Sequence, residues 1–160
     1  MKRNILYSPL SGKATKIMLL GAGELGREAI IEAVRLGFFT IAVDRYAGAP
    51  GLQIAHRAYT GNLKDPAFLR SVVEREKPDY IVPEIEAINL DVLFELEKEG
   101  FNVIPNAKAT YTAMQRQRIR EMIVKTGVPT SEYYYASSLN QLKQACKIAG
   151  FPCWVKAIQD

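Results

Sequence analysis

The sequence is poor in the residues that most often carry metal or nucleophilic chemistry. It holds one histidine, two cysteines and one tryptophan among 160 residues. Cys146 and Cys153 supply neither a disulfide framework nor a metal-ligand spacing. They read as two small buried hydrophobes in a reducing compartment. The solitary His56 has no companion ligand or nucleophile at a useful spacing, so it reads as a structural side chain. No apolar run approaches the roughly 20 residues of a membrane-spanning helix. The basic N-terminus, "MKRNILYSPLSGKATK", has too short and broken an apolar part for a signal peptide, and a cytoplasmic location is expected. Internal repeats, low-complexity segments and dense Lys/Arg blocks are all missing. The net charge of +4 suits anionic small molecules as well as nucleic acid. Without a basic block, neither a nucleic-acid nor a membrane partner is expected.

What remains is ordinary for a soluble fold, with 48% hydrophobic and 24% charged residues. The length suffices for one core-bearing domain, or one plus part of another. Short apolar strands alternate with amphipathic helices. "KIMLLGAG" reads as a buried strand ending in glycine. Residues 25–36 read as a helix with Leu25, Ala29, Ala33 and Leu36 on one stripe, closed by Gly37. "FFTIAVD" is a second strand and "HRAYT" a short third. Asp65 caps a helix that starts at Pro66 and runs to about Glu76. "DYIVPE", a helix over residues 89–100 and "FNVIP" follow. This alternation predicts a mostly parallel sheet with helices on both faces, and ligands beyond the carboxyl ends of its strands. After Pro105, "NAKATYTAMQRQRIREMIVKTG" reads as one long polar helix. "SEYYYA" is strand-like, "SSLNQLKQACKIAG" is a helix capped by Ser137 or Ser138, and "FPCWVKAIQD" begins another strand.

Gly21, Gly23 and Gly26 in "GAGELG" match the spacing of a dinucleotide-binding turn, and Asp44 lies 18 residues beyond Gly26 at a strand end. Such a site, for NAD(P), has all its parts in order. Glu24 argues against it. A carboxylate at the helix start repels a pyrophosphate by roughly 1 kcal/mol in water at 4 Å, and more at lower dielectric. Glu24 can instead satisfy the helix start itself and present a negative group that suits an amine or ribose hydroxyls. A plain first-turn acid accounts for it equally well. Glu84 and Glu86, just past Pro83, point the same way if extended, and with Glu24 would line an acidic pocket.

"GAGELGREAI", "IAVDRYAGAPGLQIAHRAY", "EKPDYIVPEIEAI", "EKEGFNVIPNAKAT" and "FPCWVK" together resemble the formate-dependent phosphoribosylglycinamide formyltransferases (GAR transformylase 2), of the ATP-grasp superfamily. "DRYAGAPGLQIAHR" and "VPEIEAI" distinguish this family from carboxyaminoimidazole ribonucleotide synthase and biotin carboxylase, which share the fold. The resemblance implies a purine-biosynthetic reaction. In it formate is joined to the amine of glycinamide ribonucleotide while ATP is cleaved, with formyl phosphate as the presumed intermediate. It implies that Glu24, Leu25 and Glu84 contact glycinamide ribonucleotide, and that Arg116 and Lys156 hold ATP phosphates.

The resemblance also implies an α/β organisation. A tail over residues 1–14 precedes a Rossmann-like pre-ATP-grasp domain over 15–108. A linker helix over 109–128 leads to the opening of an ATP-grasp domain over 129–160. The family's glycine-rich loop, adenine segment, Mg²⁺ carboxylates and substrate-phosphate residues would lie past Asp160. The chain alone is therefore expected to be inactive, and to work as a homodimer or with a separate ATP-grasp chain. A non-catalytic binding or assembly module is the alternative from another class.

Overall fold

The computed structural model describes residues 7–158. The expectations for residues 1–6 of the tail and for 159–160 of the last strand lie outside the described residues. The chain divides into two compact units, residues 1–111 and 112–160.

In the first unit "KIMLL" forms β1 (Lys16–Leu20), the centre of a five-stranded parallel sheet. Around it lie β2 (Phe39–Asp44), β3 (Arg57–Thr60), β4 (Tyr80–Pro83) and β5 (Asn102–Val103), in the order β3-β2-β1-β4-β5. Three helices cross over between them, α1 (Glu24–Arg35), α2 (Pro66–Glu76) and α3 (Leu90–Lys98). The chain steps one way from β1 to β2 and the opposite way from β3 to β4. Right-handed crossovers therefore put α1 on one face and α2 with α3 on the other. Both faces being covered explains why β1 and β2 are continuously apolar rather than alternating. Leu19 and Ala42 pack with Ile30 of α1, with Leu52 of a 3-10 turn (Pro50–Gln53) and with Ala49 just before that turn. Met18, Leu20, Ile41 and Val43 are likewise buried, as are Leu69 and Val73 of α2 and Leu93 and Leu96 of α3.

The helix boundaries have local causes. Asp65 Oδ1 accepts from the Ala67 amide at 3.0 Å, with Pro66 in the first turn. Asn89 Oδ1 accepts from the Val92 amide at 3.1 Å and starts α3. The expected stripe on α1 is not the buried one. Gly26, Ile30 and Ala33 face the sheet, whereas Leu25, Ala29 and Leu36 are exposed. The close seat of Gly26 on the preceding turn sets this rotation of the helix.

In the second unit two expectations fail. The long polar helix is two helices, α4 (Ala107–Ala113), which begins in the first unit, and α5 (Arg116–Thr126). They are separated at Gln115, whose backbone is extended (φ −115°, ψ 106°). Residues 132–136 and 153–157 form no strand. β-propensity makes a strand only where a neighbour supplies the ladder, and the sheet of the described residues consists of β1 to β5 alone. α6 (Leu139–Ala149) forms as expected, with Ser138 Oγ accepting from the Gln141 amide at 3.3 Å.

Candidate functional site

The strand order reverses at β1, and the crevice this opens lies between the carboxyl ends of β1 and β4. Gly21 leaves β1 there and Glu84 leaves β4. Each is pinned by the neighbouring strand, Gly21 N to Val43 O and Glu84 N to Leu20 O, both at 2.9 Å. Gly21 has φ +113°, and a Cβ on it would stand 2.6 Å from Glu84 Oε2. A Cβ on Gly26 would stand 2.6 Å from the Gly21 carbonyl oxygen. Both glycines are thus demanded by the protein's own packing. Gly23 differs, because a Cβ there meets nothing within 4 Å. The middle of the loop faces open space, where a ligand can approach the backbone.

Asp44, the candidate ribose acid of the dinucleotide reading, is committed elsewhere. Its Oδ2 accepts from the Ala22 amide at 2.7 Å and its Oδ1 from the Arg45 amide at 2.6 Å, with 4% of the residue exposed. It anchors the glycine loop to β2 rather than offering oxygens to a ligand. The Gly51 amide adds a second anchor, donating to the Ala22 carbonyl at 2.7 Å. The sequence carried a sign of this in "YAGAPGLQ", whose second glycine, Gly51, sits where a Cβ would press within 2.8 Å of Ile30 Cδ1.

Glu84 is the unusual group. It is half-buried, and its Oε2 is fully enclosed with no protein donor. Burial pushes its carboxyl above the ordinary range, and the negative charges of Glu86 and Asp44 push the same way. Glu86 does not share its direction. The chain leaves the strand after Pro83 and bends at residues 85–86, so the extended geometry assumed for the pair is not kept: Glu84 is half-buried and Glu86 exposed. Glu24 opens α1 as its first-turn acid and is exposed. It does not close the helix start, because Gly23 caps α1 without any side-chain hydrogen bond. The first turn thus has no side-chain cap. Leu25 beside it is 75% exposed, an apolar surface at the rim. Two carboxylates, a helix start without a side-chain cap and one apolar side chain suit a polar ligand that carries an amine or hydroxyls.

The second unit holds the other two candidates. Arg116 begins α5 and its Nε donates to the Ala157 carbonyl at 2.9 Å, next in the chain to the exposed Lys156. Two cations are thereby held on neighbouring stretches of one unit. His56 is structural in its contacts, with Nδ1 accepting from the Thr40 amide at 3.2 Å and its ring stacked on Phe39.

Comparison with known proteins bears on this crevice. A sequence model of the ribonucleotide synthetase preATP-grasp domain matches residues 14–114. The chain belongs to the ribonucleotide synthetase preATP-grasp family. Among curated members of wider extent, it is 60% identical to the formate-dependent phosphoribosylglycinamide formyltransferase of Pyrococcus furiosus, over 99% of this chain. The chain spans 37% of the length of that relative. Its fold is also that of solved structures. The glycinamide-RNase-transformylase T of Mycobacterium tuberculosis superposes with a TM-score of 0.71 at 34% identity, over 86% of this chain and 40% of that one. A carboxyaminoimidazole synthase of Aspergillus clavatus, solved with ADP and 5-aminoimidazole ribonucleotide, gives a TM-score of 0.71 at 25% identity, over 86% of this chain and 37% of that one. The parallel sheet expected from the alternation, and the preATP-grasp architecture that the resemblance implied, are thus the observed ones.

Proposed function

We propose that the crevice at β1 and β4 is the amine-recognition half of a formate-dependent glycinamide ribonucleotide formyltransferase. The observation that carries this reading is Glu84, a carboxylate enclosed against Gly21 with one oxygen that no protein donor satisfies. Such a group gains most from a ligand N–H, because a new bond removes the cost of an unpaired buried acceptor. Glu24 and Leu25 at the rim then contact the rest of glycinamide ribonucleotide. The protonated amine is drawn to the carboxylates in binding and loses a proton before it attacks a formyl donor. Glu84, whose carboxyl is pushed upward by burial, is the nearer group to share that proton.

Arg116 and Lys156 fit the phosphates of ATP, as fixed cations of the kind that neutralise charge during phosphoryl transfer. ATP supplies the activation of formate in the reaction of the whole protein, and Mg²⁺ accompanies it. Among the described residues no group of three or more His, Cys, Asp or Glu side chains forms a metal cage. The dinucleotide reading loses its support at Asp44, whose oxygens hold backbone amides.

Calorimetric titration with glycinamide ribonucleotide tests the proposal on wild type, Glu24→Gln and Glu84→Gln. Saturable binding by wild type, weakened at least severalfold in both variants, is expected. A folded wild type that binds no glycinamide ribonucleotide, or variants that bind as well as wild type, would refute the assignment. Tight NADH binding, lost in Gly23→Ala, would restore the dinucleotide site.

A further inference from the structure

Besides the crevice, the first unit holds a cavity of about 510 Å³, a size within the range of small-molecule sites. It lies between the loop that follows β3, the start of α3 and α4, and none of the crevice residues lines it. Its walls are tied to one another. The Asn89 amide donates to the Leu63 carbonyl at 2.9 Å, and Asn89 Nδ2 donates to the Lys64 carbonyl at 3.2 Å. Phe94 of α3 and Tyr111 of α4 meet edge to face, with ring centroids 6.4 Å apart. The walls therefore hold their places before a ligand arrives, which lowers the ordering cost of binding.

The lining has an aromatic part and a charged part. Ile88 is buried, and Phe94 and Tyr111 are half-buried. Two rings inclined at 67° leave more flat surface to a third ring than a stacked pair would. Lys64 and Asp91 also line the cavity and are exposed. Among the described residues, no ion pair engages either of them. An aromatic wall, a cation and a carboxylate around one space match the three parts of a nucleotide.

We propose that this cavity binds a ribonucleoside 5′-monophosphate. The base lies against the Phe94–Tyr111 pair, since every base has a π-face to stack. The phosphate accepts a charge-assisted hydrogen bond from the Lys64 ammonium. The Asp91 carboxylate accepts from the ribose hydroxyls. The amine-recognition reading of the crevice is not needed for this, because the two sites share no lining residue.

Calorimetric titration of the 160-residue chain with AMP and with adenosine tests the proposal. Wild type should bind one AMP per chain, and adenosine more weakly. Lys64→Gln, a change at an exposed position, should weaken AMP about tenfold and leave adenosine unaffected, as the loss of one charge-assisted bond requires. Phe94→Leu should weaken both ligands, and Glu84→Gln should bind AMP like wild type. A folded wild type that binds no AMP, or a Lys64→Gln chain that binds it as tightly as wild type, would overturn the proposal. So would loss of AMP binding in Glu84→Gln, which would put the nucleotide in the crevice. If Phe94→Leu fails to fold, the Lys64→Gln and Glu84→Gln titrations decide.

Discussion

Replacing Glu84 with glutamine should make the protein more stable while it weakens recognition. Oε2 of Glu84 is enclosed without a donor; glutamine still leaves a polar atom there but removes the buried charge, whose excess cost is about 1–3 kcal/mol. The residue as a whole is only half-buried, so solvent screening of the rest of the carboxyl places the gain near the low end, about 1 kcal/mol. For a unit of this size that corresponds to a rise in Tm of about 4 °C.

The pH dependence distinguishes this cause from a general packing effect. Burial holds the native carboxyl above its ordinary range. Between the unfolded and the native value, the native state binds more protons than the unfolded one, so stability falls as pH rises through that window. The advantage of Glu84→Gln should therefore be absent well below the ordinary carboxylate range. It should open as pH passes from the unfolded to the raised native value and stay constant above. Scanning calorimetry of both proteins across a pH series reads this directly. An advantage that does not change with pH, or a variant less stable at neutral pH, would show that the carboxylate is not strained.

The three loop glycines should separate cleanly. Gly21→Ala and Gly26→Ala each force a Cβ to 2.6 Å from an oxygen and should lower stability in urea unfolding by about 2 kcal/mol or more, whereas Gly23→Ala, facing open space, should unfold like wild type. Asp44→Ala leaves the amides of Ala22 and Arg45 without their acceptor, and a loss of about 2–3 kcal/mol is expected from the same assay. Glu76 is buried at the end of α2 and accepts from Arg57 Nη1 at 2.8 Å and from the Tyr59 hydroxyl. Burial alone would raise its carboxyl, but those partners outweigh burial and hold it below the ordinary range. The stability it contributes is present above the ordinary carboxylate value and is lost as pH falls through the depressed native one. Glu76→Ala, expected to cost about 3 kcal/mol at neutral pH, should abolish that part of the acid transition seen by circular dichroism. Asp65→Ala removes the cap of α2 and should cost about 1 kcal/mol in thermal unfolding.

Much of this protein follows from the sequence alone, because the decisive signals act within a few residues. A continuous apolar run ending in glycine gave β1, and a second run ending at Asp44 gave β2. Asp65 before Pro66 gave one helix start and Ser137 or Ser138 bounded another, and Asp65 and Ser138 each act through one side-chain oxygen and an amide two or three residues on. The alternation of strands and helices then left few topologies open, and the crevice at β1 and β4 follows from them.

Tertiary structure decided what local rules leave degenerate. Period 3.6 allowed several stripes on α1, and the fit of Gly26 under the Gly21 carbonyl chose the one with Ile30 and Ala33. Alternation gave Glu84 and Glu86 one environment, but the bend at residues 85–86 left Glu84 half-buried and Glu86 exposed. Asp44 had the spacing of a ligand-binding acid, and only the position of the Ala22 amide, 22 residues away in sequence, turned it into an anchor. The segments at 132–136 and 153–157 have strand-forming residues without a ladder.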